Sequence, residues 1–293
     1  MRASMTVTTG APMQLSILCP TPEIQLDWRA AYARLSEAVE SAGLRAQALP
    51  WTALGDPSVT MAAACLAWGY HLQPDRWIAL LRPYLGTAAL INSAESLIWN
   101  SDKIYLKRLV QCVPVVPTHF CSTLDAVTAS RLRRRFRSET LVAKPRWGAG
   151  AHGLTVLHDG AVVPLLRDVL VQPMLTAISE GEISLIYFEG RFSHAVRKLP
   201  AAGDLRVQTE HGGRVETFRA SDELVGLGER AIKAAPDALT YARVDLVKGN
   251  DGQWQMIELE AIEPELFLDL APDGGRALGE ALSRRMLKLP QQR

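Results

Sequence analysis

The sequence predicts an α/β fold with a parallel N-terminal unit, a middle part with a small sheet of its own and a strand-rich C-terminal part. Strand-like and amphipathic helical segments alternate over about the first hundred residues, as in parallel α/β units. Further on, a lysine and three glycines separate two short strands at 141–157. Two runs of alternating polarity then flank Asp251 and Gly252, a dipeptide preferred in tight hairpin turns.

Composition and charge indicate an ordinary globular enzyme. The 293 residues are enough for two domains, or for one large domain with a lid. The net charge of +1 provides no electrostatic footprint for nucleic acid or for an anionic membrane. No apolar run approaches the roughly 18 residues that span a bilayer, and the N-terminus lacks the apolar core of a signal peptide. We therefore expect a cytoplasmic protein with no nucleic-acid or membrane partner.

Two smaller features support this expectation. The four cysteines follow neither metal-site spacing nor a disulfide framework, so we expect reduced thiols. The basic run at 131–137 has Leu132 and Phe136 at helical spacing, which favours a solvated helix face over a nucleic-acid site.

The N-terminal part is predicted to bind substrate. Residues 1–13 are small and polar and are expected to form a disordered tail. Ligands of parallel α/β units bind beyond the carboxyl ends of the strands, which makes Trp68, Tyr70 and His71 candidate substrate contacts. Aromatic packing at a domain interface explains these three residues equally well. The predicted N-terminal domain covers 14–114, with strands at 15–19, 44–49, 59–67 and 88–91 and helices at 25–41, 74–85 and about 94–110.

Prolines at 114 and 117 mark the next predicted boundary. Residues 115–173 are expected to form a lid subdomain, with helices at 124–136 and 162–169 and strands at 141–144, 154–157 and 170–173. Residues 174–293 are expected to form a C-terminal mixed-sheet subdomain, with strands at 183–188, 191–197 and 214–218 and in the hairpin, and helices at 222–235 and 275–287.

The hairpin at 241–261 carries the strongest chemical signal. A two-residue turn at Asp251 and Gly252 would pair Asn250 with Gln253 and fix the register of both strands. The register then places Asp245 opposite Glu258. Side chains alternate with period two, so the charged residues share one face, and the other face is apolar with residues 242, 244, 246, 257, 259 and 261.

Three carboxylates therefore converge on one face, from Asp245, Glu258 and Glu260, with Arg243 opposite Glu260. Like charges facing each other across strands destabilise a sheet, so we expect a cation between them. An all-oxygen ligand set suits a hard ion, Mg²⁺ or Mn²⁺. The alternative is a solvated hairpin face with ordinary surface charges, which the wholly apolar opposite face disfavours.

The glycine-rich turn at 145–153 is the second chemical signal. Lys144 ends a strand, and Gly148, Gly150 and Gly153 allow backbone N–H groups to approach phosphate oxygens. The order of residues fits neither a Walker A loop nor a dinucleotide fingerprint, because the lysine comes first and a strand follows. Alone, the segment reads as a glycine-rich hairpin turn. Together with the carboxylate hairpin, it predicts a mobile flap over a magnesium-bound nucleotide.

From about residue 99 to residue 264, these motifs resemble the ATP-grasp superfamily. The run from Arg243 to Asp245, followed by Glu258 and Glu260, is similar to the R-x-D and E-x-N metal strands of that family, although Glu260 stands where asparagine is usual. The resemblance implies a nucleotide bound between two sheets, with ATP and Mg²⁺ or Mn²⁺ as cofactors. The implied nucleotide residues are Lys103 and Lys144 at the phosphates, Gln172, Pro173, Met174 and Leu175 at adenine, and Glu182 at ribose.

The stretch at 198–213 resembles the bacterial glutathione synthetase pattern within this superfamily. Lys198 and Gln208 replace its arginine and asparagine, and Arg206 keeps the position of a carboxylate or phosphate clamp. The runs WNSDKIYL (99–106), SHAVRKLP (193–200) and ELEAIEP (258–264) are similar to a branch of D-cycloserine ligases.

The resemblance implies a carboxylate–amine ligase that forms an acyl-phosphate and releases ADP and phosphate. Arg243, Arg206 and Lys198 are its expected catalytic residues, with Arg243 stabilising the oxyanion. The partners are a small carboxylate and a small amine, both amino-acid-derived, in one molecule that closes a ring or in two. The alternatives are a kinase that releases a phosphorylated product and a non-catalytic nucleotide-sensing module. A homodimer is the default expectation for a soluble enzyme.

Overall fold

Three β-sheets organise the part of the chain that the structure, a computed structural model, describes: residues 12–201, 203–204, 206–207 and 212–288. Most of the predicted disordered tail lies outside these residues. Each sheet corresponds to one of the three parts that the sequence predicts. The sheets differ in strand direction, and the region between them carries the candidate site.

The N-terminal sheet is parallel throughout, with the strand order β2-β1-β3-β4. The alternation of strands and helices in the sequence therefore predicted this unit correctly. The third strand is much shorter than expected, because the run around Ala62 and Ala63 is rich in alanine, which has little preference for strands. Its elements are β1 (Gln14–Cys19), α1 (Arg29–Ser41), β2 (Arg45–Pro50), β3 (Ala62–Ala63), α2 (Pro74–Leu81) and β4 (Leu90–Ile91).

The middle sheet is antiparallel, with the order β5-β8-β6-β7. The predicted helix at 162–169 is wrong. Its second half belongs to β8, which pairs on both edges, with β5 and with β6, while Val162 and Leu165 remain 93% and 62% exposed. Pairing in the sheet thus outweighs the local helical pattern. The elements are β5 (His119–Leu124), α5 (Ala126–Phe136), β6 (Leu141–Pro145), β7 (Thr155–Leu157) and β8 (Leu166–Pro173).

The C-terminal sheet has the order β11-β10-β9-β12-β13, with antiparallel pairs and one parallel bridge between Val115 and Met256. One face of β9 and β12 packs against α6, and their other end joins the core beneath α1 and α7. The elements are β9 (Glu182–Phe188), β10 (Arg191–Leu199), β11 (Arg214–Phe218), α6 (Asp222–Ile232), β12 (Tyr241–Lys248), β13 (Trp254–Glu260) and α7 (Arg276–Leu287).

The hairpin of β12 and β13 keeps the predicted pairs but not the predicted turn. Asp245 lies opposite Glu258, as the sequence predicts. The expected pair of Asn250 with Gln253 is wrong: the Gly249 N–H donates to the Gln253 carbonyl at 2.8 Å, which leaves a three-residue loop. Gly252 takes a left-handed conformation there (φ 78°), as such loops require.

A β-bulge in β13 offsets the one-residue difference between the predicted and the observed turn. The register shifts between Asp245 and Leu246, so that Leu246 pairs with Met256 and Ile257 has no partner across the strands. Met256 therefore occupies the core position that the sequence assigned to Ile257, and Ile257 lines the cavity beside the carboxylates.

The helix expected at about 94–110 breaks at Asp102 into α3 (Ala94–Ser101), a 3₁₀ turn (Lys103–Tyr105) and α4 (Leu106–Leu109). The Asp102 carboxylate accepts the backbone N–H of Ile104 at 3.0 Å and also pairs with the Arg146 guanidinium. The Lys103 N–H donates to the Arg146 carbonyl at 3.0 Å. The break therefore ties Lys103 to the end of β6, next to the glycine-rich turn.

Two polar side chains form hydrogen bonds with the backbone at the outer edge of β13. The Asn100 amide donates to the Leu259 carbonyl at 2.8 Å and accepts the Ala261 N–H at 2.7 Å. The Tyr105 hydroxyl bonds both the N–H and the C=O of Leu259, at 3.0 and 2.9 Å. An edge strand with unpaired backbone groups would be poorly fixed, so these contacts hold the strand that carries Glu258.

We expect Asn100→Leu to lower the free energy of unfolding by about 2 kcal/mol or more. The change keeps the side-chain size, leaves the buried Ala261 N–H without a partner at a cost of roughly 1–3 kcal/mol, and leaves the Leu259 C=O with the Tyr105 hydroxyl alone. Urea denaturation measures the loss. Asn250→Leu is the control, because that amide also bridges backbone groups but is exposed. Equal stability losses in the two variants would contradict a role of Asn100 in fixing β13.

The thiols agree with the expectation that the cysteines are reduced. Cys19, Cys65 and Cys121 are buried, Cys112 is exposed, and all four are free. Burial raises the pKa of the Cys19 and Cys65 thiols to about 12, which makes them unreactive near neutral pH. Within the described ranges, the chain has no helix of the length and apolarity that a bilayer crossing requires.

Candidate active site

A cavity of about 930 Å³ is lined by residues from all three parts of the fold. Its size is that of a small-molecule binding site. The predicted site residues that line it are Trp68, His71, Lys103, Lys144, Gly148, Gly150, Gln172, Pro173, Met174, Leu175, Glu182, Lys198, Arg206, Arg243, Asp245, Glu258 and Glu260.

Two predicted residues of the described chain, Tyr70 and Gly153, do not line the cavity. Tyr70 is buried with its ring 5.2 Å from that of Trp77, which matches the packing alternative considered for the aromatic group. Gly153 is not on the cavity wall and shapes the turn instead: its φ is +73°, and a Cβ there would lie 2.7 Å from the Pro145 ring. Gln208 lies outside the described residues.

Lys103 and Glu258 form an ion pair at the floor of the cavity. The Lys103 ammonium also donates to the Gly148 carbonyl at 2.8 Å. Burial lowers the pKa of Lys103, but Glu258 raises it further, and the net pKa is above the usual range. Burial likewise raises the pKa of Glu258, while Lys103 and Lys144 together bring it below the usual range. Both groups are therefore charged, and the pair joins β13 to the glycine-rich turn.

Lys144 makes no ion pair with any described residue. Its pKa is lowered, first by burial, although Glu258 and Glu182 oppose the shift. Lys144 is half-buried, and an ammonium that is partly withdrawn from water without a carboxylate partner is stabilised when an anion binds it. Lys144 therefore marks the place on the wall that is best prepared for an anionic ligand such as a phosphate.

Asp245 lies at the centre of a buried ionic network. The Arg243 guanidinium donates to both of its carboxylate oxygens, at 3.0 and 2.9 Å, and the Lys198 ammonium lies 3.3 Å away. Ser184 donates a further hydrogen bond, and Glu182 pairs with Lys198. Burial alone would raise the pKa of Asp245, but the two cations hold it well below the usual range. Asp245 is thus ionised at neutral pH.

Glu260 and Asp245 both contact Arg243, but the negative charge of Glu260 is neutralised less completely. The Arg243 guanidinium donates to the Glu260 carboxylate at 2.5 Å. Burial, followed by the charges of Glu258 and Asp245, raises the pKa of Glu260 to about 7. Glu263 lines the same wall, and burial and Glu260 raise its pKa well above the usual range. The carboxylates here exceed what the basic side chains neutralise, so this end of the cavity favours a further cation.

No three Asp, Glu, His or Cys side chains of the described segments are grouped closely enough to hold a metal ion as they stand. The sequence predicts a cation between the hairpin carboxylates, and in the structure Lys103 pairs with Glu258 and Arg243 pairs with Glu260. The donor set nevertheless suits Mg²⁺, because all the donors are oxygen and the local charge is negative. These carboxylates fit a magnesium-bound ligand rather than a permanent metal centre.

The segment from Gln172 to Leu175 forms a fixed strip along the wall. The Gln172 amide donates to the Thr118 hydroxyl at 3.0 Å. The Met174 N–H donates to the Thr140 carbonyl at 2.9 Å, and the Met174 carbonyl accepts the Asn250 amide at 2.9 Å. The end of β8 is therefore held between the middle and C-terminal sheets.

The glycine-rich turn reaches towards the N-terminal unit. Gly150 and Ala151 are both left-handed, with φ of 58° and 59°. The His152 ring at its tip lies 5.7 Å from that of His71. The turn thus covers the cavity from the side of the middle sheet, as a flap would.

Sequence reasoning missed two parts of the wall. One is the loop at 23–27 with the start of α1, including Arg34, and the other is the segment that follows β13, from Glu263 to Leu268. The acidic run after β13 was a visible signal of the second. We find no sequence pattern that singles out Arg34, because an amphipathic helix presents many surface arginines.

Comparisons with known proteins were made by sequence and by structure. No protein-family model matches the chain. The cycloserine biosynthesis protein DcsG of Streptomyces lavendulae is 29% identical over 248 residues, which cover 75% of this chain and 81% of that protein. A glutathione synthetase of Prochlorococcus marinus (strain MIT 9313) is 26% identical over 219 residues, 68% of this chain and 69% of that one.

Solved structures show that the fold is shared over nearly the whole length. The crystal structure of D-cycloserine synthetase DcsG matches with a TM-score of 0.78 and 24% identity, and covers 93% of this chain and 99% of its own. The ATP-grasp ligase PsnB, in complex with a precursor variant, Mg and ADP, matches with a TM-score of 0.64 and 16% identity, over 94% of this chain and 99% of its own.

Proposed function

We propose that the chain, whose sequence and fold resemble those of ATP-grasp enzymes, is an ATP-dependent ligase that joins a carboxylate to an amine. The observation that carries the proposal is that one cavity holds both Lys144, which has no ion-pair partner among the described residues, and more carboxylates than basic side chains. The first suits the phosphates of ATP, and the second suits the Mg²⁺ that accompanies them. Two similar proteins, the D-cycloserine synthetase DcsG and the ATP-grasp ligase PsnB, are described as enzymes of this kind, which supports the same activity.

The nucleotide is proposed to lie between the middle and C-terminal sheets. Gln172 to Leu175 would border adenine, and Glu182 would bind ribose. Lys103, Lys144 and the backbone of the glycine-rich turn would hold the phosphates. Asp245, Glu258 and Glu260 would bind Mg²⁺, which neutralises charge on the phosphate oxygens when it is bound. Lys103 and Arg243, the present partners of these carboxylates, are then free to contact anionic groups of the ligands.

The reaction is proposed to proceed in two displacements. A carboxylate oxygen of the substrate attacks the γ-phosphorus of ATP, and the bond from phosphorus to the ADP oxygen breaks. The neutral amine nitrogen then attacks the carbonyl carbon of the acyl-phosphate, the bond from that carbon to the phosphate oxygen breaks, and a proton passes from the nitrogen to the departing phosphate. Arg243 would stabilise the oxyanion of the second step, and Arg206 and Lys198 would orient the carboxylate and the phosphate.

The glycine-rich flap would close over the intermediate. Acyl-phosphates react with water, so a ligase must exclude solvent before the amine attacks. Gly150 and the left-handed Ala151 give the turn an unusual backbone, and its tip already lies beside His71. Closure from this position would seal the cavity between the middle sheet and the N-terminal unit.

The test is ATP turnover with Mg²⁺ against a panel of amino acids and O-substituted serine derivatives, with products identified by mass. We expect ADP, phosphate and a product lighter by one water than its substrates. A dehydrated single substrate would identify ring closure, and a condensed pair would identify ligation of two molecules. AMP with pyrophosphate would contradict the acyl-phosphate mechanism. A stable phosphorylated product would indicate a kinase instead.

A further inference from the structure

One side of the cavity takes no part in the proposed nucleotide site. It is formed by the loop before α1, the first turns of α1, the end of the segment after β3 and the segment after β13. Most of this wall is apolar. The side chains that form it include Ile24, Leu35, Leu66, Trp68, Leu266 and Phe267. A wall of this kind is suited to an apolar group, because burial of each methylene contributes about 0.8 kcal/mol.

Arg34 is the cation on this side of the cavity. It lies on α1, is half-buried and lines the wall one residue before Leu35. Within the described part of the chain, no carboxylate pairs with its guanidinium and no hydrogen bond occupies it. A planar guanidinium that is partly withdrawn from water and left unpaired is prepared to bind a carboxylate in bidentate fashion.

Glu263 is the corresponding acidic side chain. It lies three residues beyond the end of β13, lines the cavity, and forms no ion pair with any residue that the structure describes. Its neighbours Glu258 and Glu260 have Lys103 and Arg243 as partners. A desolvated carboxylate next to two others is stabilised by an added positive charge. An ammonium group of a ligand supplies such a charge beside the reacting centre.

The segment between these charges is held in a strained conformation. Phe267 is left-handed with φ of 48°, which is rare for an aromatic residue, and its N–H donates to the Glu265 carboxylate at 3.2 Å. The Arg243 guanidinium donates to the Glu265 carbonyl at 3.3 Å. The His194 ring donates to the Leu266 carbonyl at 3.0 Å. A strained backbone that is held by several hydrogen bonds is typical of functional segments. In this conformation the half-buried Phe267 lines the cavity.

We propose that the amine substrate is an α-amino acid with an apolar side chain. Its carboxylate binds Arg34, its amino group binds Glu263, and its side chain packs against Trp68 and Phe267. This assignment rests on the proposed ligase function and names the acceptor that the site selects. Glu263 adjoins the carboxylate strand, so the bound nitrogen lies on the side of the cavity where the acyl-phosphate forms. The product is then an amide that keeps a free α-carboxylate.

The first test measures amino-acid binding by calorimetry, with and without Mg²⁺ and a non-hydrolysable ATP analogue. Leucine and phenylalanine are expected to bind at least roughly tenfold more tightly than alanine, since each carries several more buried carbon atoms. Serine and aspartate are expected to bind more weakly still. Binding of serine or aspartate as tight as that of leucine, or no binding of leucine in either condition, would overturn the proposal.

The second test pairs each charge with the ligand group that it is proposed to bind. Arg34→Gln is expected to weaken the binding of leucine by on the order of 10- to 100-fold, the range for a lost charged hydrogen bond. The affinity for leucinamide is expected to stay unchanged. Glu263→Gln is expected to weaken the binding of leucine by a similar factor and to leave the affinity for N-acetylleucine unchanged. Arg45→Gln is the control, because Arg45 is exposed and distant from the wall. Equal effects on leucine and on the blocked ligand would show that neither pairing exists.

Turnover separates this inference from the proposed function. If leucine binds through Arg34 but no carboxylate and amine on the panel release ADP, the ligase function fails while the amino-acid site stands. If ADP and phosphate appear only with polar amines, the ligase function stands and the apolar acceptor site is wrong.

Discussion

Glu258→Gln is expected to lower turnover by roughly 10²-fold or more, the range for losing one preorganised electrostatic group. The substitution keeps the size of the side chain and removes its charge. Lys103 then loses its carboxylate partner, and Mg²⁺ loses a proposed ligand. Because glutamine binds Mg²⁺ poorly, the Mg²⁺ concentration at half-maximal rate is expected to rise as well. Steady-state rates of phosphate release over a range of Mg²⁺ concentrations measure both quantities.

Glu180→Gln is the matched control. It also breaks a single ion pair between glutamate and lysine, since Glu180 bonds Lys248 at 3.0 Å, but these side chains are 62% and 41% exposed. Exposed pairs contribute little, so turnover and Mg²⁺ dependence should match those of the unchanged protein. If Glu258→Gln kept near-normal turnover at the same Mg²⁺ concentration, the carboxylates of the hairpin would not hold the metal.

The carboxylate face was predictable because strand alternation is a local property. Asp245 and Glu258 lie on the same face of the hairpin in the observed pairing and in any pairing shifted from it by an even number of residues. The apolar residues on the opposite face exclude odd shifts, because an odd shift would move apolar side chains of one strand to the charged face. The turn was predicted one residue wrong, yet the bulge at Ile257 restored the pairs nearest the chemistry. A bulge depends on the packing of both faces at once, which no local pattern contains.

The contacts of Lys103 were not predictable in the same way. Its residue type and place in the motif suggested a phosphate ligand, but the predicted helix continued through it. The break depends on Asp102, whose carboxylate pairs with Arg146, the residue that follows β6 and lies 44 positions further along the chain. Tertiary partners of this kind outweigh helix propensity, and the same holds for β8, where pairing on two edges replaced a predicted helix.

The acceptor side of the cavity was hidden from the sequence for a related reason. Arg34 and Glu263 are 229 positions apart and become neighbours of one cavity only when α1 and the segment after β13 fold against each other. Neither residue belongs to a motif with a regular spacing. A lone arginine on an amphipathic helix is usually a surface residue, so only its position on the cavity wall reveals it.

Arg243→Met is expected to destabilise the protein by about 3–5 kcal/mol, the range for removing one partner of a buried ionic group. Methionine keeps the apolar stem and removes the guanidinium. Asp245 and Glu260 then lose the guanidinium that they share, and the Glu265 carbonyl loses its donor. A shift of roughly 2–4 °C per kcal/mol is usual for chains of 150–250 residues, so the melting temperature should fall by roughly 6 °C or more. Calorimetry without nucleotide or Mg²⁺ measures this.

Arg284→Met is the comparison that makes the result decisive. Arg284 also contacts two carboxylates, those of Glu189 and Glu280, but its side chain is 49% exposed, compared with 9% for Arg243. Its loss should cost less than about 1 kcal/mol. Similar melting temperatures for the two variants would mean that water reaches the Arg243 network, and burial would then not explain the raised pKa of Glu260. A large difference would show that the site keeps its charges in a desolvated environment, where an arginine stabilises an oxyanion far more strongly than in water.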